Sequence, residues 1–328
     1  MGPELRQESR TNPTLIGASQ EAVRMREFAF RAASTEHTIL LQGESGVGKD
    51  QLAELIHFNG RRTRPFVPVD CGALTETLSE SELFGHVPGA FTDARTTKVG
   101  LVQVADNGTL FFNEVANMSL TLQAKFLRVL EKKTFRQVGG TKEFAMNTRI
   151  IAATNVDLED AVIRGALRLD LFHRLSTIMF TVAPLRGRRE DIPLLAEHFL
   201  KQESESKQFS EEAMEAMVYY RWPGNVRELK NVVARAAFDS LDESEIQTEH
   251  LYFSTVGLST TPSGEGIVWG EDIPTYREAK MSYLREVLIR ARGNHTRAAE
   301  IAGVSVKVFS YAVKHSDLKD FVYKLKKS

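Results

Sequence analysis

A glycine-rich stretch near the start of the sequence has the residue types of a phosphate-binding loop. Residues 43–50 read GESGVGKD, and Gly43, Gly46 and Gly48 would let backbone N–H groups converge on phosphate oxygens without Cβ clashes. Lys49 would add a point charge for the β- and γ-phosphates. Because the stretch follows an apolar run and opens a helical pattern, we predict a nucleotide phosphate site; an ordinary glycine turn is the alternative.

A second stretch ends in side chains that suit a general base beside a metal ion. Residues 108–114 read GTLFFNE, an apolar run that ends in the amide Asn113 and the carboxylate Glu114. After a phosphate loop, a strand that ends in acids holds Mg²⁺ and activates the attacking water, so Glu114 is the candidate base. Asn113 lacks the negative charge that Mg²⁺ favours. A solvated strand end is the alternative interpretation of Glu114.

The apolar runs around these stretches predict an α/β architecture. Four runs are typical of strands, and helical patterns separate them: TILLQG, RPFVPVDC, GTLFFNE and RIIAATN. Such alternation predicts a parallel sheet wrapped by helices, and the patterns become helical only from about residue 186. The predicted segments are a tail at 1–13, an α/β subdomain at 14–185, a helical subdomain at 186–255, a Gly/Ser/Thr-rich linker at 256–272 and an all-α domain at 273–328.

Composition and charge set limits on the class of protein. The chain has 328 residues, 42% of them hydrophobic, and a net charge of −1. From residue 273 onward there are 12 Lys or Arg against 5 Asp or Glu, a local charge of +7 that leaves −8 for the remainder. A basic tail of this kind indicates nucleic acid as a partner. Cys71 is the single cysteine and no apolar run approaches the roughly 18 residues of a membrane span, which favours a reducing, cytoplasmic location.

The basic tail contains the pattern of a helix-turn-helix. Residues 293–315 read GNHTRAAEIAGVSVKVFSYAVKH, with a small apolar face at Ala298, Ala299, Ile301 and Ala302, a turn at Gly303, a cap at Ser305 and core positions at Phe309 and Val313. The candidate DNA contacts are Thr296, Arg297, Lys307, Ser310, Tyr311 and Lys314. A dimerisation bundle that does not bind DNA is the alternative.

Seven motifs together give the chain a family resemblance: GESGVGKD, SELFGHVPGAFTDA, GTLFFNE, RIIAATN, ALRLDLFHRLS, PLRGRREDI and WPGNVRELKN. In these motifs the chain resembles the bacterial enhancer-binding proteins, AAA+ regulators that activate transcription by sigma-54 RNA polymerase. The resemblance implies an AAA+ P-loop NTPase domain with a helical lid, followed by a Fis-like helix-turn-helix domain. It implies ATP and Mg²⁺ as cofactors, and double-stranded DNA, RNA polymerase holoenzyme and further copies of the chain, as dimers and rings, as partners.

The resemblance also assigns roles by position. Thr154 and Asn155 resemble the sensor that detects the γ-phosphate, Arg227 resembles the second sensor on the lid, and Phe91, Thr92 and Asp93 lie in the loop that contacts sigma-54. The implied catalytic residues are Glu114 with Arg168 and Arg174, the last two as arginine fingers that reach the ATP of the next subunit. The implied metal ligands are Asp50, Asp70 and Glu114. The implied nucleotide-binding residues are Gly43, Glu44, Ser45, Gly46, Val47, Gly48, Lys49, Asp50, Asn113, Asn155 and Arg227.

Four residues depart from the family pattern. Asp93 replaces a glycine, at a cost of roughly 1–2 kcal/mol wherever the loop needs a positive φ. Asp50 replaces a glutamate, Asn113 replaces the metal-binding aspartate, and Asp70 stands where an asparagine is usual. If their strands are adjacent, Asp70 partly restores the carboxylate missing at Asn113. The competing hypothesis is decay of the site, in which the anionic side chains of Asp70 and Glu114 repel each other.

These departures leave two functions open. The favoured one is a DNA-binding, nucleotide-binding and oligomerising regulator on this scaffold, with weak or absent turnover, that acts independently of sigma-54. The alternative is a fully active, ATP-driven activator of sigma-54 polymerase. A helicase or protein-unfolding machine is a distant third, because the GAFTDA loop and the terminal helix-turn-helix disfavour it.

Overall fold

The computed structural model describes residues 13–60, 63–73, 78–240, 243–253, 276–291, 294–302, 306, 309–310 and 313. The chain forms two compact units, and the boundary between them lies between residues 257 and 258. In the described parts of the chain, no helix is both long enough and apolar enough to cross a membrane. The predicted tail at 1–13, apart from its last residue, and the predicted linker at 256–272 lie outside the described residues.

A five-stranded parallel sheet forms the centre of the first unit. The strand order is β2-β5-β8-β1-β9. The strands are β1 (Ile39–Gln42), β2 (Phe66–Asp70), β5 (Thr109–Asn113), β8 (Arg149–Thr154) and β9 (Ile178–Thr181). The four predicted runs are all strands, and β9 is a fifth that the sequence reading missed. It lies at the edge of the sheet with alternately half-buried and exposed residues, so it lacks the unbroken apolar run of a buried parallel strand.

Helices cover both faces of the sheet and create two apolar layers. Ser19 and Ser119 begin two of these helices, because each side-chain oxygen accepts a backbone N–H of the first turn. The helices are α1 (Gln20–Ala33), α2 (Lys49–Asn59), α3 (Ser79–Phe84), α4 (Leu101–Val104), α5 (Leu120–Lys132), α6 (Leu158–Ile163) and α7 (Leu169–Leu175).

Two short antiparallel hairpins project from this layer. One pairs β3 (Gly85–His86) with β4 (Lys98–Val99), and the other pairs β6 (Thr134–Arg136) with β7 (Glu143–Ala145). A backbone bridge between His86 and Val138 connects the two hairpins. The GAFTDA stretch therefore lies in a loop with a fixed base.

The helical lid follows the sheet and has its own core. Its helices are α8 (Asp191–Glu203), α9 (Glu211–Tyr219) and α10 (Asn225–Asp239), packed around Trp222, Leu229 and Val233. The expectation of helices only was incomplete, since β10 (Gln208–Phe209) and β11 (Glu245–Ile246) form a two-residue parallel pair. Such a short pair carries no periodic signal in the sequence.

The second unit contains α11 (Tyr276–Arg290) and α12 (His295–Ala302). Phe309 and Val313 are buried against these helices, as the sequence predicted. Ile301 is 43% exposed, so its placement on the apolar face was wrong; Ala298 and Ala299 supply the buried surface instead. The predicted turn at Gly303 and cap at Ser305 lie outside the described residues.

Candidate functional site

The glycine loop connects the end of β1 to the start of α2. Gly46 and Gly48 have φ values of +76° and +101°, at which a residue with a side chain would be strained. A Cβ at Gly48 would meet nothing within 4 Å, so there is open space beside the N-terminus of α2. A helix N-terminus with backbone N–H groups facing open space is an anion-binding arrangement.

Lys49 is held within this loop. Its side chain is 5% exposed, and its ammonium group donates to the carbonyl oxygens of Gly43 at 2.8 Å and Glu44 at 3.3 Å. Its third neighbour is the Oε1 atom of Glu114, 3.4 Å away. The charge is therefore buried and oriented at the point where the loop turns into the helix.

Glu114 joins the phosphate loop to the end of β8. Its Oε2 atom accepts the backbone N–H of Asn155 at 2.8 Å, while Oε1 faces Lys49. Its backbone is left-handed, with φ and ψ both 55°. The structure thus brings together the candidate base, the loop lysine and the first sensor segment.

Asn113 and Asp70 are direct neighbours in the sheet. The parallel register of β2 and β5 pairs Asp70 with Asn113, so the adjacency that the sequence hypothesis required is present. The Oδ1 atom of Asp70 accepts the N–H of Gly72 at 2.9 Å, and Asp70 is not among the residues that line the pocket. The carboxylate next to Asn113 is therefore directed into a local turn.

The predicted trio of metal ligands does not form a ready-made metal site. Within the described residues, no three His, Cys, Asp or Glu side chains are grouped closely enough to hold an ion. That Asp50, Asp70 and Glu114 bind a metal stays a prediction. Mg²⁺ is usually held by one or two carboxylates together with substrate phosphates, and Asp50 and Glu114 border the pocket where those phosphates would lie.

The pocket has a volume of about 540 Å³ and extends from the glycine loop to the lid. Its apolar part is lined by Leu15, Ile16, Leu195 and Phe199. At its polar end, Arg227 on α10 donates to the Ser45 hydroxyl at 2.8 Å. Eight of the predicted nucleotide residues line the pocket, and Gly43, Glu44 and Asn155 do not; the eight are Ser45, Gly46, Val47, Gly48, Lys49, Asp50, Asn113 and Arg227.

Asp50 lies at the pocket, beside Lys49 and Arg227. Partial removal from water raises the pKa of its carboxyl group, and the negative charges of Glu114 and Asp70 add to the rise, while Lys49 and Arg227 oppose it. Since the folded pKa lies above the unfolded value of 3.8, the stability contributed by this group falls as the pH rises through these pKa values. At neutral pH the ionised carboxylate is therefore unfavourable.

Asp50→Asn is expected to raise the melting temperature at pH 7 by about 1–2 °C and to change it little at pH 4. The rise is small because the Asp50 residue keeps part of its surface in water, which screens the charge of the partly desolvated carboxylate. Differential scanning fluorimetry at the two pH values measures it. An equal shift at both pH values would show that the titration of Asp50 is not its cause.

The two candidate arginine fingers lie away from this pocket. Arg168 precedes α7, is exposed, and forms two hydrogen bonds with Asp170, at 2.8 and 3.1 Å. Arg174 is exposed and donates to the carbonyl of Leu130 at 3.2 Å. Neither arginine lines the chain's own pocket, which is the arrangement that a role toward a neighbouring subunit requires.

The GAFTDA loop presents its predicted contact residues at the surface. Phe91 is 38% exposed and leans edge-on against the buried His86 ring, with centroids 5.0 Å apart. Thr92 and Asp93 are exposed. The positive φ of the loop is at Gly89 and not at Asp93, so the strain expected for the aspartate is not found.

In the second unit, two of the candidate DNA contacts are free at the surface of α12. Thr296 and Arg297 are exposed, and their backbone N–H groups are capped by the Asn294 side chain. Ser310 is half-buried and bonded to the His295 ring at 3.0 Å, which favours a packing role over base contact. Lys307, Tyr311 and Lys314 lie outside the described residues.

Comparisons with known proteins agree with this geometry. The family model of the Sigma-54 interaction domain matches residues 15–181, and that of the AAA+ ATPase lid domain matches residues 186–263. The chain belongs to the sigma-54-dependent AAA+ transcriptional regulators. It is 40% identical to the regulatory protein AtoC of Escherichia coli over 86% of the chain and 63% of that protein. It is 38% identical to the response regulator PilR of Pseudomonas aeruginosa over 94% of the chain and 71% of that protein.

Solved structures give the same result. NtrX of Brucella abortus, crystallised with ATP, is 32% identical and superposes with a TM-score of 0.71 over 92% of this chain and 69% of that one. The structure of NtrX with ADP is 34% identical in sequence and superposes with a TM-score of 0.69. The chain spans about two thirds of the length of these relatives.

In this sigma-54-dependent regulator, three lid-side residues that were not predicted from the sequence contact the glycine loop. Arg186 forms two hydrogen bonds with Glu44, at 2.8 and 2.5 Å. Arg188 is buried and donates to the Val47 carbonyl, and Asn225 is buried and bonds both Glu44 and Ser45. All three lie within the quoted motifs PLRGRREDI and WPGNVRELKN, but sequence gives no sign of which loop atoms they meet.

Proposed function

We propose that this regulator binds ATP in the pocket between the glycine loop and the lid, and that it hydrolyses ATP weakly. The loop glycines, buried Lys49 and Arg227 would hold the phosphates, and the apolar wall would take the base. That the related NtrX was crystallised with ATP supports the same ligand here. Binding would need only these parts.

The observation that carries weak turnover is the pairing of Asn113 with Asp70. Mg²⁺ would be held through phosphate oxygens near the end of β5, where Asn113 offers a neutral amide. The neighbouring carboxylate of Asp70 bonds Gly72 and does not line the pocket. Turnover depends on a metal and a base that are placed to within about 1 Å. The amide at Asn113, with the carboxylate displaced to Asp70, should therefore lower the rate of hydrolysis more than the affinity for ATP.

Hydrolysis would use Glu114 as the base. Its carboxylate is held between Lys49 and the N–H of Asn155, close enough to the loop to orient a water beside the γ-phosphate. The exposed Arg168 and Arg174 would complete the site of a neighbouring copy in a ring. The C-terminal unit would bind double-stranded DNA through Thr296 and Arg297, and polymerase contact would be weak.

The alternative is a fully active, ATP-driven activator of sigma-54 polymerase. Two observations favour it: Glu114 is positioned as a base, and Asp93 fits the GAFTDA loop without a positive φ. In that case the exposed Phe91 and Thr92 would contact sigma-54 in RNA polymerase holoenzyme.

The deciding experiment uses the purified chain with fluorescent ATP and ADP, a phosphate-release assay with and without Mg²⁺, and open-complex formation with sigma-54 polymerase. We expect binding with slow turnover and little open complex. Absence of nucleotide binding would contradict the site itself. Fast, Mg²⁺-dependent hydrolysis with open-complex formation would establish the alternative instead.

A further inference from the structure

The backbone carbonyl groups of the glycine loop are all occupied by donors. Lys49 donates to the first two, those of Gly43 and Glu44. The next three accept donors from the lid side of the chain. These are Asn225 Nδ2 to Ser45 O at 3.0 Å, the Val226 N–H to Gly46 O at 2.9 Å, and Arg188 Nη2 to Val47 O at 2.5 Å.

These bonds determine where the loop N–H groups point. In a trans peptide unit the C=O and the following N–H point in opposite directions. Fixing the three carbonyls toward the lid therefore directs the N–H groups of Gly46, Val47 and Gly48 to the other side. No protein acceptor for these three N–H groups is found among the described residues. The open space beside Gly48 is where these N–H groups would bind an anion.

Among these donors, Asn225 is the side chain whose amide oxygen and amide nitrogen are both held by hydrogen bonds. It is fully buried, with φ at +52°, and its Oδ1 accepts the Leu185 N–H at 2.8 Å. Its Nδ2 donates to both the Ser45 carbonyl and the Glu44 carboxylate, the latter at 3.1 Å. Arg186 donates to both oxygens of that carboxylate and keeps the pKa of Glu44 below its usual value. The amide therefore cannot turn without breaking several bonds.

Close packing supports the same connection. A Cβ on Gly46 would lie 2.4 Å from the Gly224 carbonyl oxygen, so the loop and the start of α10 touch backbone to backbone. Asn225 and the loop are 180 residues apart in the chain. The loop conformation is thus fixed by the lid and not by its own sequence alone.

We propose that the lid builds the phosphate cradle, with Asn225 as the positioning residue that aims the loop N–H groups at the β-phosphate. This rests on the proposed nucleotide binding. Arg227 reaches the ligand pocket directly, whereas Asn225 acts through the loop and does not line the pocket. Its loss should therefore weaken binding of ligands with a β-phosphate and spare the base contacts.

The test is Asn225→Asp in the full chain. Aspartate keeps the acceptor for Leu185 and tolerates a positive φ, but it removes the donor to Ser45 and places a second carboxylate against Glu44. We expect ADP affinity, measured with a fluorescent ADP analogue, to fall about tenfold, and AMP affinity, measured by competition, to change less than twofold. Unchanged ADP affinity, or equal losses for ADP and AMP, would overturn the proposal.

Asn107→Asp is the matched control, since Asn107 also has a positive φ, of 55°, and is exposed outside the pocket. We expect ADP affinity to stay at the wild-type value. If circular dichroism shows that Asn225→Asp does not fold, Glu44→Gln replaces it, with an expected threefold loss for ADP and none for AMP; no loss for ADP would overturn the proposal. Failure of the wild-type chain to bind ADP would instead refute the proposed function.

Discussion

Replacing Asn113 with aspartate is expected to raise the rate of ATP hydrolysis at least about tenfold. The new carboxylate would lie at the end of β5, at the border of the pocket and beside Glu114, where it gives Mg²⁺ the anionic partner that an amide cannot supply. The nucleotide affinity should change little, because the loop and Lys49 carry most of it. Steady-state phosphate release at saturating Mg²⁺-ATP measures the effect.

Asp70→Asn is the companion variant, because Asp70 is paired with Asn113 in the sheet. If Asp70 partly replaces the missing acid, this variant loses Mg²⁺-dependent ATP binding, and the double variant with Asn113→Asp regains it. If Asp70 serves only its turn with Gly72, the variant binds ATP normally. An Asn113→Asp variant no faster than wild type would show that residue 113 does not limit turnover.

Lys49→Ala is expected to reduce the affinity for ATP and ADP about a hundredfold or more. The ammonium group is buried beside the loop, so its attraction for a phosphate is screened far less than that of a surface lysine. Its loss also releases the carbonyls of Gly43 and Glu44 and removes the cation that faces Glu114. Isothermal titration calorimetry with each nucleotide measures the effect.

Lys230→Ala is the control for charge alone. Lys230 is exposed on α10 and borders the same pocket. We expect its removal to weaken ATP binding less than about threefold, in keeping with a solvated charge. Equal losses for the two lysine variants would mean that binding follows the overall positive potential and not the geometry of the loop.

The parts of the site that depend on local chain geometry could be predicted from sequence. A strand, a glycine loop and a helix follow one another without interruption at residues 39–59, so the position of Lys49 was implied by the order of the residues. The adjacency of Asp70 and Asn113 was only a condition of the sequence hypothesis, because an alternating pattern predicts a parallel sheet but not the order of its strands.

The contacts between the lid and the loop could not be predicted in this way. Asn225 meets Ser45 because Asn225 has a left-handed backbone and because α10 packs at one particular angle, and neither property is visible as a periodic pattern. The edge strand β9 was not predicted for a similar reason. It contains half-exposed residues such as Met179 and lacks the unbroken apolar run of a central strand. Long-range packing decides both features.

The left-handed backbone of Glu114 costs conformational free energy, and in return it places the carboxylate side chain. A residue with a Cβ in the left-handed region costs on the order of 1–2 kcal/mol, and glycine would adopt the same φ of 55° without that cost. A thermodynamic optimum for folding alone would therefore not place a glutamate there. This conformational cost accompanies a carboxylate that reaches from the end of β5 to the N–H of Asn155, just after β8.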